Sequence, residues 1–309
     1  MKKLLFILIG ILAIYSGRTQ TLAEKLGYKS TDRLLIVNCD DAGMCEAANQ
    51  AAIDGIKNGM ITSTTIMMPC PKAEEIVGLA KQNPAIDAGV HLTHTAEWKT
   101  YRWGSIAPRE KVKGLLDPDG YLWRTVEGVY SHSNPMEAYR EATAQIKKAI
   151  NMGLEITHID SHMGTMQLSP PYVDAYLQLA IDFNVPVRMA SQETLEKFGQ
   201  PDIRKNFSEK GILFPDYLIY EELDNYTEDD IKTFWKNILH NLKPGITELF
   251  IHASVPDPEL KKITDSWQTR NNEYELFTND PEFKEFLKDE NIILIGYRPI
   301  FELQRKLNH

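Results

Sequence analysis

Strand-like and helix-like segments alternate along most of the chain, and this alternation constrains the fold more than any other feature. Strands that alternate with helices of this length are typical of a parallel sheet. About seven or eight such units in 309 residues predict an α/β fold with one domain, a (β/α) barrel of the TIM type, either regular or incomplete and irregular. The strand-like runs are residues 34–39, 61–68, 85–92, 155–161, 185–189, 246–252 and 292–297, with a shorter one near 211–214.

Several helix starts can be read from capping residues. Asn134 followed by a proline predicts a helix that runs to about residue 152, because Asn caps and proline suits the first helical position. Asp280 starts the last helix before the final strand in the same way, and Thr227 caps a helical segment at 228–242. A doubly wound open sheet is the alternative architecture, but no G-x-G-x-x-G follows the first strand.

The N-terminus has the pattern of a secretory signal. Lys2 and Lys3 precede an apolar stretch over residues 4–14, which is too short for a comfortable membrane span. We therefore predict a signal peptide at residues 1–20 and an exported protein, periplasmic or extracellular, whose barrel domain covers residues 30–305 without an integral membrane span. An uncleaved N-terminal anchor is the alternative.

Charge and cysteine content exclude some functions. The net charge of −9 comes without a dense basic cluster, which argues against binding to nucleic acid. The three cysteines, Cys39, Cys45 and Cys70, are an odd number for an exported chain, so at least one is expected to be free. Cys39 lies inside the first strand and is predicted to pack as a small apolar residue. We do not expect the cysteines to carry the chemistry.

Polar residues end four of the predicted strands. In a (β/α) barrel the carboxyl ends of the strands form one face, where active sites lie. Five of the eight histidines lie at such ends, and the convergence of histidine and aspartate from four strands predicts a metal site. The residues are Asp40, Asp41, His91, His94, His158, Asp160, His162 and His252.

Strand geometry limits how these residues can share an ion. His158, Asp160 and His162 lie on one face of a strand, and the outer two are about 6.5 Å apart along it. One of them is expected to bind the ion, and the others are expected to orient the residue that binds it. Asp40 and Asp41 can reach one pocket only at a turn. One carboxylate would then bind the ion and the other would handle a proton, with the assignment open.

A long insertion at about residues 95–133 interrupts the alternation. It contains three of the five tryptophans, Trp98, Trp103 and Trp123, among glycine and proline residues. Long irregular segments in compact domains are often lids or binding loops, and flat aromatic rings suit sugar rings. We predict that these tryptophans bind substrate. The alternative is a surface loop held down by its own aromatic cluster.

The motifs together resemble the YdjC-like family of carbohydrate deacetylases, the chitooligosaccharide (ChbG/HpnK-type) deacetylases. The resemblance rests on NCDDAGM with ANQAAIDGIKNGMITSTTIMM, then GVHLTHT, THIDSHMGT, ELFIHAS and RNNEYELF, which follow the family's order from about residue 33 to 298. The Asp-Asp, His-Leu-Thr and His-x-Asp-Ser-His elements are specific in combination and weak alone.

The resemblance implies roles for individual residues. It implies one divalent metal ion, Mg²⁺ by the family, although two histidines and one aspartate also suit Zn²⁺ or another transition ion. His158 and Asp160 are expected to orient ligands, as above. The implied roles are metal ligands Asp41, His91 and His162, general base Asp40, acid His252, and orienting residues Arg270 and Glu273.

These roles imply a metal-dependent hydrolase that removes N-acetyl groups from oligosaccharides, so the expected partner is an N-acetylated oligosaccharide. The alternatives are a metal-dependent phosphoesterase, a sugar isomerase on the same barrel, and an exported sugar-binding protein without activity. No Arg/Lys clamp or second ligand set for phosphoryl transfer is evident in the sequence. The sequence leaves the oligomeric state open, with a homodimer among the options.

Overall fold

The sheet of this protein is parallel throughout the part of the chain that is described. The computed structural model describes residues 20–220 and 228–308. The predicted signal peptide, residues 1–20, lies outside the described residues except for Gln20, and so does Thr227. The strands are β1 (Arg33–Ala42), β2 (Ser63–Ile66), β3 (Ala88–Leu92), β4 (Ile159–Ser161), β5 (Tyr217–Ile219), β6 (Gly245–Ile251) and β7 (Ile292–Leu294).

Helices lie between the strands, and two predicted caps are confirmed. The Asn134 side chain accepts hydrogen bonds from the N–H groups of Met136 and Glu137, and Asp280 accepts one from Phe283. No helix in the described ranges is long and apolar enough to cross a membrane. The helices are α1 (Leu22–Lys25), α2 (Glu46–Asn58), α3 (Ala73–Gln82), α4 (Val126–His132), α5 (Pro135–Asn151), α6 (Pro170–Phe183), α7 (Gln192–Lys197), α8 (Ile203–Glu209), α9 (Glu228–His240), α10 (Leu260–Ile263), α11 (Trp267–Tyr274), α12 (Pro281–Asp289) and α13 (Arg298–Leu307).

The sheet follows the order β4-β3-β2-β1-β6-β5. β7 pairs with the first residues of β1, whereas β2 pairs with its last residues. The predicted (β/α) barrel is therefore confirmed in its irregular form. The predicted strand at 185–189 is reduced to an isolated bridge between Ile159 and Val187, because Pro186 has no N–H to continue a ladder. The strand prediction near 211–214 is wrong, and β5 follows it instead.

The interior of the barrel changes from apolar to polar along β1. Side chains alternate, so Leu34, Ile36, Asn38 and Asp40 share one face of the strand. Leu34 and Ile36 pack in a small core with residues of α1 and α13, which plug the amino-terminal end of the barrel. Asn38 and Asp40 are buried above them, so the polar residues converge at the carboxyl ends of the strands.

The opposite face of β1 packs against the surrounding helices. Cys39 lies on this face in the main hydrophobic core, as predicted. Cys45 and Cys70 are buried in the same core, and all three cysteines are free thiols. Burial raises the pKa of each thiol, which disfavours the reactive thiolate.

Candidate metal centre

Asp41 leaves the regular strand geometry at the end of β1. Its φ is +63°, and the pairing of β1 with β2 shifts register between Cys39 and Ala42. In a regular strand Asp40 and Asp41 would point to opposite faces. The left-handed conformation costs about 1–2 kcal/mol and turns the Asp41 carboxylate back towards the pocket that Asp40 faces. An ion pair between Asp41 Oδ2 and Arg270 Nη2, at 2.8 Å, helps to hold it there.

Three potential ligand atoms form a triangle at this point. Asp41 Oδ1 lies 3.4 Å from His91 Nε2 and 3.4 Å from His162 Nδ1, and the two nitrogens are 3.3 Å apart. Atoms bound to one tetrahedral ion at about 2.1 Å lie roughly 3.4 Å from one another. The spacing of the three atoms therefore suits a shared cation.

The chemistry of the triangle agrees with its spacing. Asp41 Oδ1 is buried and has no hydrogen-bond partner among the described residues, although a buried polar atom normally has one. A carboxylate oxygen beside two imidazole nitrogens is a donor set that zinc and similar ions accept. The residues fit a divalent metal ion, and Asp41, His91 and His162 are the ones that would hold it.

A second group of Asp40, His91 and Asp160 is also compact enough to hold a cation. Arg188 already supplies a positive charge there. Its Nη1 lies 2.7 Å from Asp40 Oδ2 and 2.9 Å from Asp160 Oδ2. A fixed guanidinium between these two carboxylates takes the position that a second metal ion would need.

Arg188 links three buried carboxylates. It forms a bidentate pair with Asp40, with both contacts at 2.7 Å, and its Nε donates to Glu248 at 2.8 Å. Tyr297 also donates to Glu248. Burial outweighs these partners and raises the pKa of Glu248 to about 7. Arg188 thus stabilises the charged interior directly beneath the triangle.

Asp40 is held ionised by these contacts. Burial favours its neutral form, but Arg188, together with His91 and His252, outweighs burial and holds the pKa of Asp40 well below its usual range. Asn38 donates to Asp40 Oδ1 at 2.7 Å. Oδ2 of Asp40 faces the triangle, 3.9 Å from His91 Nε2. The carboxylate is oriented, charged and next to the proposed ion without belonging to the triangle.

Each histidine of the triangle has a carboxylate on its far ring nitrogen. His91 Nδ1 lies 2.7 Å from Asp160 Oδ1, and His162 Nε2 lies 3.0 Å from Glu97 Oε2. Such partners fix the ring orientation and direct the other nitrogen's lone pair to a metal ion. The structure therefore places Asp160, a predicted orienting residue, on His91, and it adds Glu97, which the sequence reasoning missed.

The carboxylates around these two histidines also favour the protonated imidazole. Burial opposes the charge, but Asp160 and Asp40 outweigh it and raise the pKa of His91 to about 10. Glu97 and Asp41 outweigh burial in the same way and raise the pKa of His162 to about 9. These shifts favour protonated rings without metal, so a metal ion that binds the two nitrogens would have to displace their protons.

We expect divalent metal binding at pH 7 to release protons, up to two per ion, because His91 and His162 must become neutral to bind it. Metal affinity should fall as pH is lowered from 10, and proton release should vanish above the two pKa values. Isothermal titration calorimetry in buffers of different ionisation enthalpy measures the number of protons released. The exposed His240→Asn variant is the control and should behave as the wild type. Metal binding at pH 7 with no proton release would contradict the assignment.

Three further predicted residues lie on one side of the triangle. Arg270 pairs with Asp41, and Glu273 Oε2 accepts a hydrogen bond from the backbone N–H of His252 at 2.7 Å. Burial raises the pKa of Glu273 to about 8. Burial lowers the pKa of His252, an effect that Arg270 reinforces and Asp41 opposes. His252 is thus a neutral ring at neutral pH that lies within the field of the site carboxylates.

Like His252, two further histidines at strand ends do not join the triangle. His94 is buried, and its Nε2 donates to the carbonyl of Ala138, while burial lowers its pKa to about 4. His158, a predicted orienting residue, stacks on Tyr297 at 3.8 Å and lies 3.3 Å from Asn38 Oδ1. Asn38 in turn donates to Asp40, so His158 supports the layer beneath the site.

The three tryptophans of the insertion have different surroundings. Trp98 lies 6.5 Å from the His162 ring and 5.8 Å from the Arg270 guanidinium, measured between centres, so it covers one side of the site. Trp103 is 4 % exposed and packs edge-on against Trp98. Trp123 stacks on His132. The described contacts bring only Trp98 to the triangle, whereas Trp103 and Trp123 pack within the insertion.

Comparison with known proteins identifies the family of this chain. The family model described as YdjC-like protein matches residues 34–289, which include every residue of the triangle and of the Arg188 cluster except Tyr297. The chain belongs to the YdjC-like family.

Relatives in this family match over most of their length. A carbohydrate deacetylase of Thermoanaerobacter pseudethanolicus is 30 % identical over 265 residues, covering 86 % of this chain and 98 % of that protein. A carbohydrate deacetylase of Enterococcus faecalis is 28 % identical, covering 87 % and 99 %. A crystal structure of a proposed cellobiose-phosphate cleavage protein from Enterococcus faecalis V583 superposes with a TM-score of 0.75 at 28 % identity, covering 87 % and 99 %.

Three site residues of this YdjC-like chain escaped the sequence reasoning. Arg188 lies in the segment predicted as a strand at 185–189, where an arginine among apolar residues signals a buried partner. Glu248 lies inside β6, where a charged residue among apolar neighbours likewise indicates a buried partner. Glu97 lies in the insertion, where no periodicity indicates which side chains face the barrel.

Proposed function

We propose that this protein is a metal-dependent carbohydrate deacetylase that hydrolyses the acetamide of N-acetylated oligosaccharides, of the chitooligosaccharide type. The observation that carries the proposal is the triangle of Asp41, His91 and His162 beside an ionised Asp40. The YdjC-like family supports the proposal, because two relatives that match this chain over nearly their whole length are carbohydrate deacetylases.

A divalent ion at the triangle would polarise the acetamide carbonyl and make a water molecule more acidic. Asp40 is the proposed proton acceptor for that water. Its lowered pKa keeps Asp40 charged at neutral pH but also makes it a weaker base. It therefore suits a water molecule whose own pKa is reduced. Arg188 keeps the Asp40 carboxylate oriented, with Oδ2 towards the triangle.

His252 is the proposed group that passes a proton to the departing amine. Its ring is neutral at rest, so it would first have to take up a proton, and the proton that Asp40 accepts from the water balances this step. The hydrogen bond from the backbone N–H of His252 to the Glu273 carboxylate holds the backbone of His252 in place. Arg270 keeps Asp41 ionised and in place, because it pairs with the Asp41 oxygen that does not face the triangle.

Aromatic residues flank the site on two sides. Trp98 covers the side of His162 and Arg270. On β6, Phe250 lies over the Arg188 guanidinium at 4.5 Å and contacts the His252 ring edge-on, and Tyr220, 62 % exposed, packs against Phe250. We propose that these rings contact the sugar rings on either side of the reacting acetamide.

Acetate release from short N-acetylglucosamine oligosaccharides tests the proposal. We expect the wild-type protein to release acetate when loaded with metal, to lose this activity after chelation, and to regain it when Mg²⁺, Zn²⁺, Co²⁺ or Mn²⁺ is returned one at a time. The most active ion identifies the cofactor. Bound metal without acetate release from any N-acetylated sugar would overturn the deacetylase, and phosphate release from sugar phosphates would favour the alternative phosphoesterase.

We propose further that the protein is exported to the periplasm or the extracellular space, on the basis of the signal-like residues 1–20. Cell fractionation and N-terminal sequencing of the isolated protein test this. A mature chain that begins near residue 20 supports export, whereas a cytoplasmic chain that retains residues 1–20 contradicts it.

A further inference from the structure

The insertion contacts a metal ligand through Glu97, in addition to the cover that Trp98 gives the site. Glu97 Oε2 lies 3.0 Å from His162 Nε2, while His162 Nδ1 faces Asp41 and His91. A ring that donates its Nε2 proton to a carboxylate presents the Nδ1 lone pair to the triangle. The rotation of the His162 ring therefore depends on a residue outside the barrel.

The two histidines of the triangle differ in how firmly their carboxylates are held. Asp160, the partner of His91, is fully buried on β4, and Thr65 and Arg188 also contact it. The Glu97 side chain is 24 % exposed and comes from the insertion. Its position depends on the backbone that carries it, so that backbone must be fixed if Glu97 is to orient His162.

Two arginines fix that backbone. The Arg124 guanidinium donates to the carbonyls of Glu97, Trp98 and Lys99, at 3.3, 2.6 and 3.2 Å. Arg102 donates to the carbonyl of Ala96 at 3.1 Å and forms an ion pair with Asp117 at 2.7 Å. Four consecutive carbonyls, from residue 96 to residue 99, thus accept hydrogen bonds from guanidinium groups. These hydrogen bonds hold the backbone on both sides of Glu97.

We propose that Glu97 is a positioning residue for the metal ligand His162, and that Arg124 acts on the same ligand by fixing the backbone of Glu97. The proposal rests on the metal site of the proposed function. It makes the insertion a structural part of the metal centre, in addition to any contact that Trp98 makes with substrate.

Metal affinity tests this role independently of turnover. We expect Glu97→Ala to bind Zn²⁺ or Co²⁺ about 10–100-fold more weakly than the wild type. Glu97→Gln should lose less, because an amide oxygen still accepts the Nε2 proton. Arg124→Met should weaken binding in the same direction, although Arg124 contacts none of the ligands. Glu110→Gln changes an exposed glutamate of the same insertion and should bind metal like the wild type.

The result separates positioning from simple loss of fold and from failure of the proposed activity. Circular dichroism of each metal-free variant should match the wild type, and saturating metal should restore acetate release by Glu97→Ala to within a few-fold. Affinity of Glu97→Ala within twofold of the wild type overturns the proposal, whether or not acetate is released. A wild-type protein that binds metal without releasing acetate overturns the deacetylase alone, and the affinities of the variants still decide the role of Glu97.

Discussion

Replacing Asp40 with Asn is expected to lower kcat for acetate release by about 10²–10⁴-fold while the bound metal stays at the wild-type level. The amide keeps the shape of the carboxylate but cannot accept a proton from water at neutral pH. Asp40 lies outside the triangle, and its nearer oxygen is 3.9 Å from His91 Nε2, so metal binding does not depend on it. Steady-state acetate assays and metal analysis of the same sample measure both effects.

Asp41→Asn is the matched variant with the opposite expected pattern. Asparagine tolerates the left-handed conformation at φ +63°, so the backbone should be retained. The substitution removes the negative charge from the triangle, and we expect the protein to lose metal and activity together. High metal concentrations should restore part of the activity of Asp41→Asn and none of that of Asp40→Asn. Loss of metal from Asp40→Asn, with Asp41→Asn unaffected, would reverse the two assignments.

Replacing Arg188 with Met is expected to destabilise the protein by about 3–5 kcal/mol, since it leaves Asp40, Asp160 and Glu248 without their buried cation. Urea denaturation of the metal-free protein measures the change. The loss should shrink as pH falls from 8 to 5. Without Arg188 the pKa values of these buried carboxylates rise, so protonation at lower pH relieves their charge.

Two comparisons sharpen this experiment. Arg204→Met removes a half-buried arginine that donates to the carbonyls of Ala190 and Pro215, and it should cost much less because no carboxylate is left unpaired. The double variant Arg188→Met with Glu248→Gln should be more stable than the sum of the single effects, since one of the unpaired charges is gone. Additive effects, or a loss that does not change with pH, would show that Arg188 contributes only packing.

The predicted fold followed from local signals and was confirmed where those signals are strong. The apolar run of β1 and the caps at Asn134 and Asp280 depend on residues close in sequence, so they can be read directly. The apolar residues at 185–189 predict a strand, because a short apolar run has the same pattern in a paired strand and in a buried extended segment. Pro186 and the neighbouring chain reduce it to a single bridge.

The residues of the candidate site divide in a similar way. Histidines and aspartates at the ends of several parallel strands must meet at one face, so their convergence follows from the strand pattern alone. The pattern cannot show which of two adjacent aspartates faces the ion, because regular alternation sends them to opposite faces. The positive φ of Asp41 decides this, and it is stabilised by Arg270, which lies 229 positions away in the chain.

The sequence by itself determined the alternation of strands and helices, the set of polar residues at the strand ends, and the membership of the YdjC-like family that the motifs indicate. Only the tertiary structure placed Arg188 on Asp40, 148 positions away, and Glu97 of the insertion on His162. Local patterns report which face of a strand a side chain occupies, because that depends on neighbours in the chain. The partner of a side chain across a pocket depends on the packing of distant segments, and the periodicity of a strand or helix contains no information about that packing.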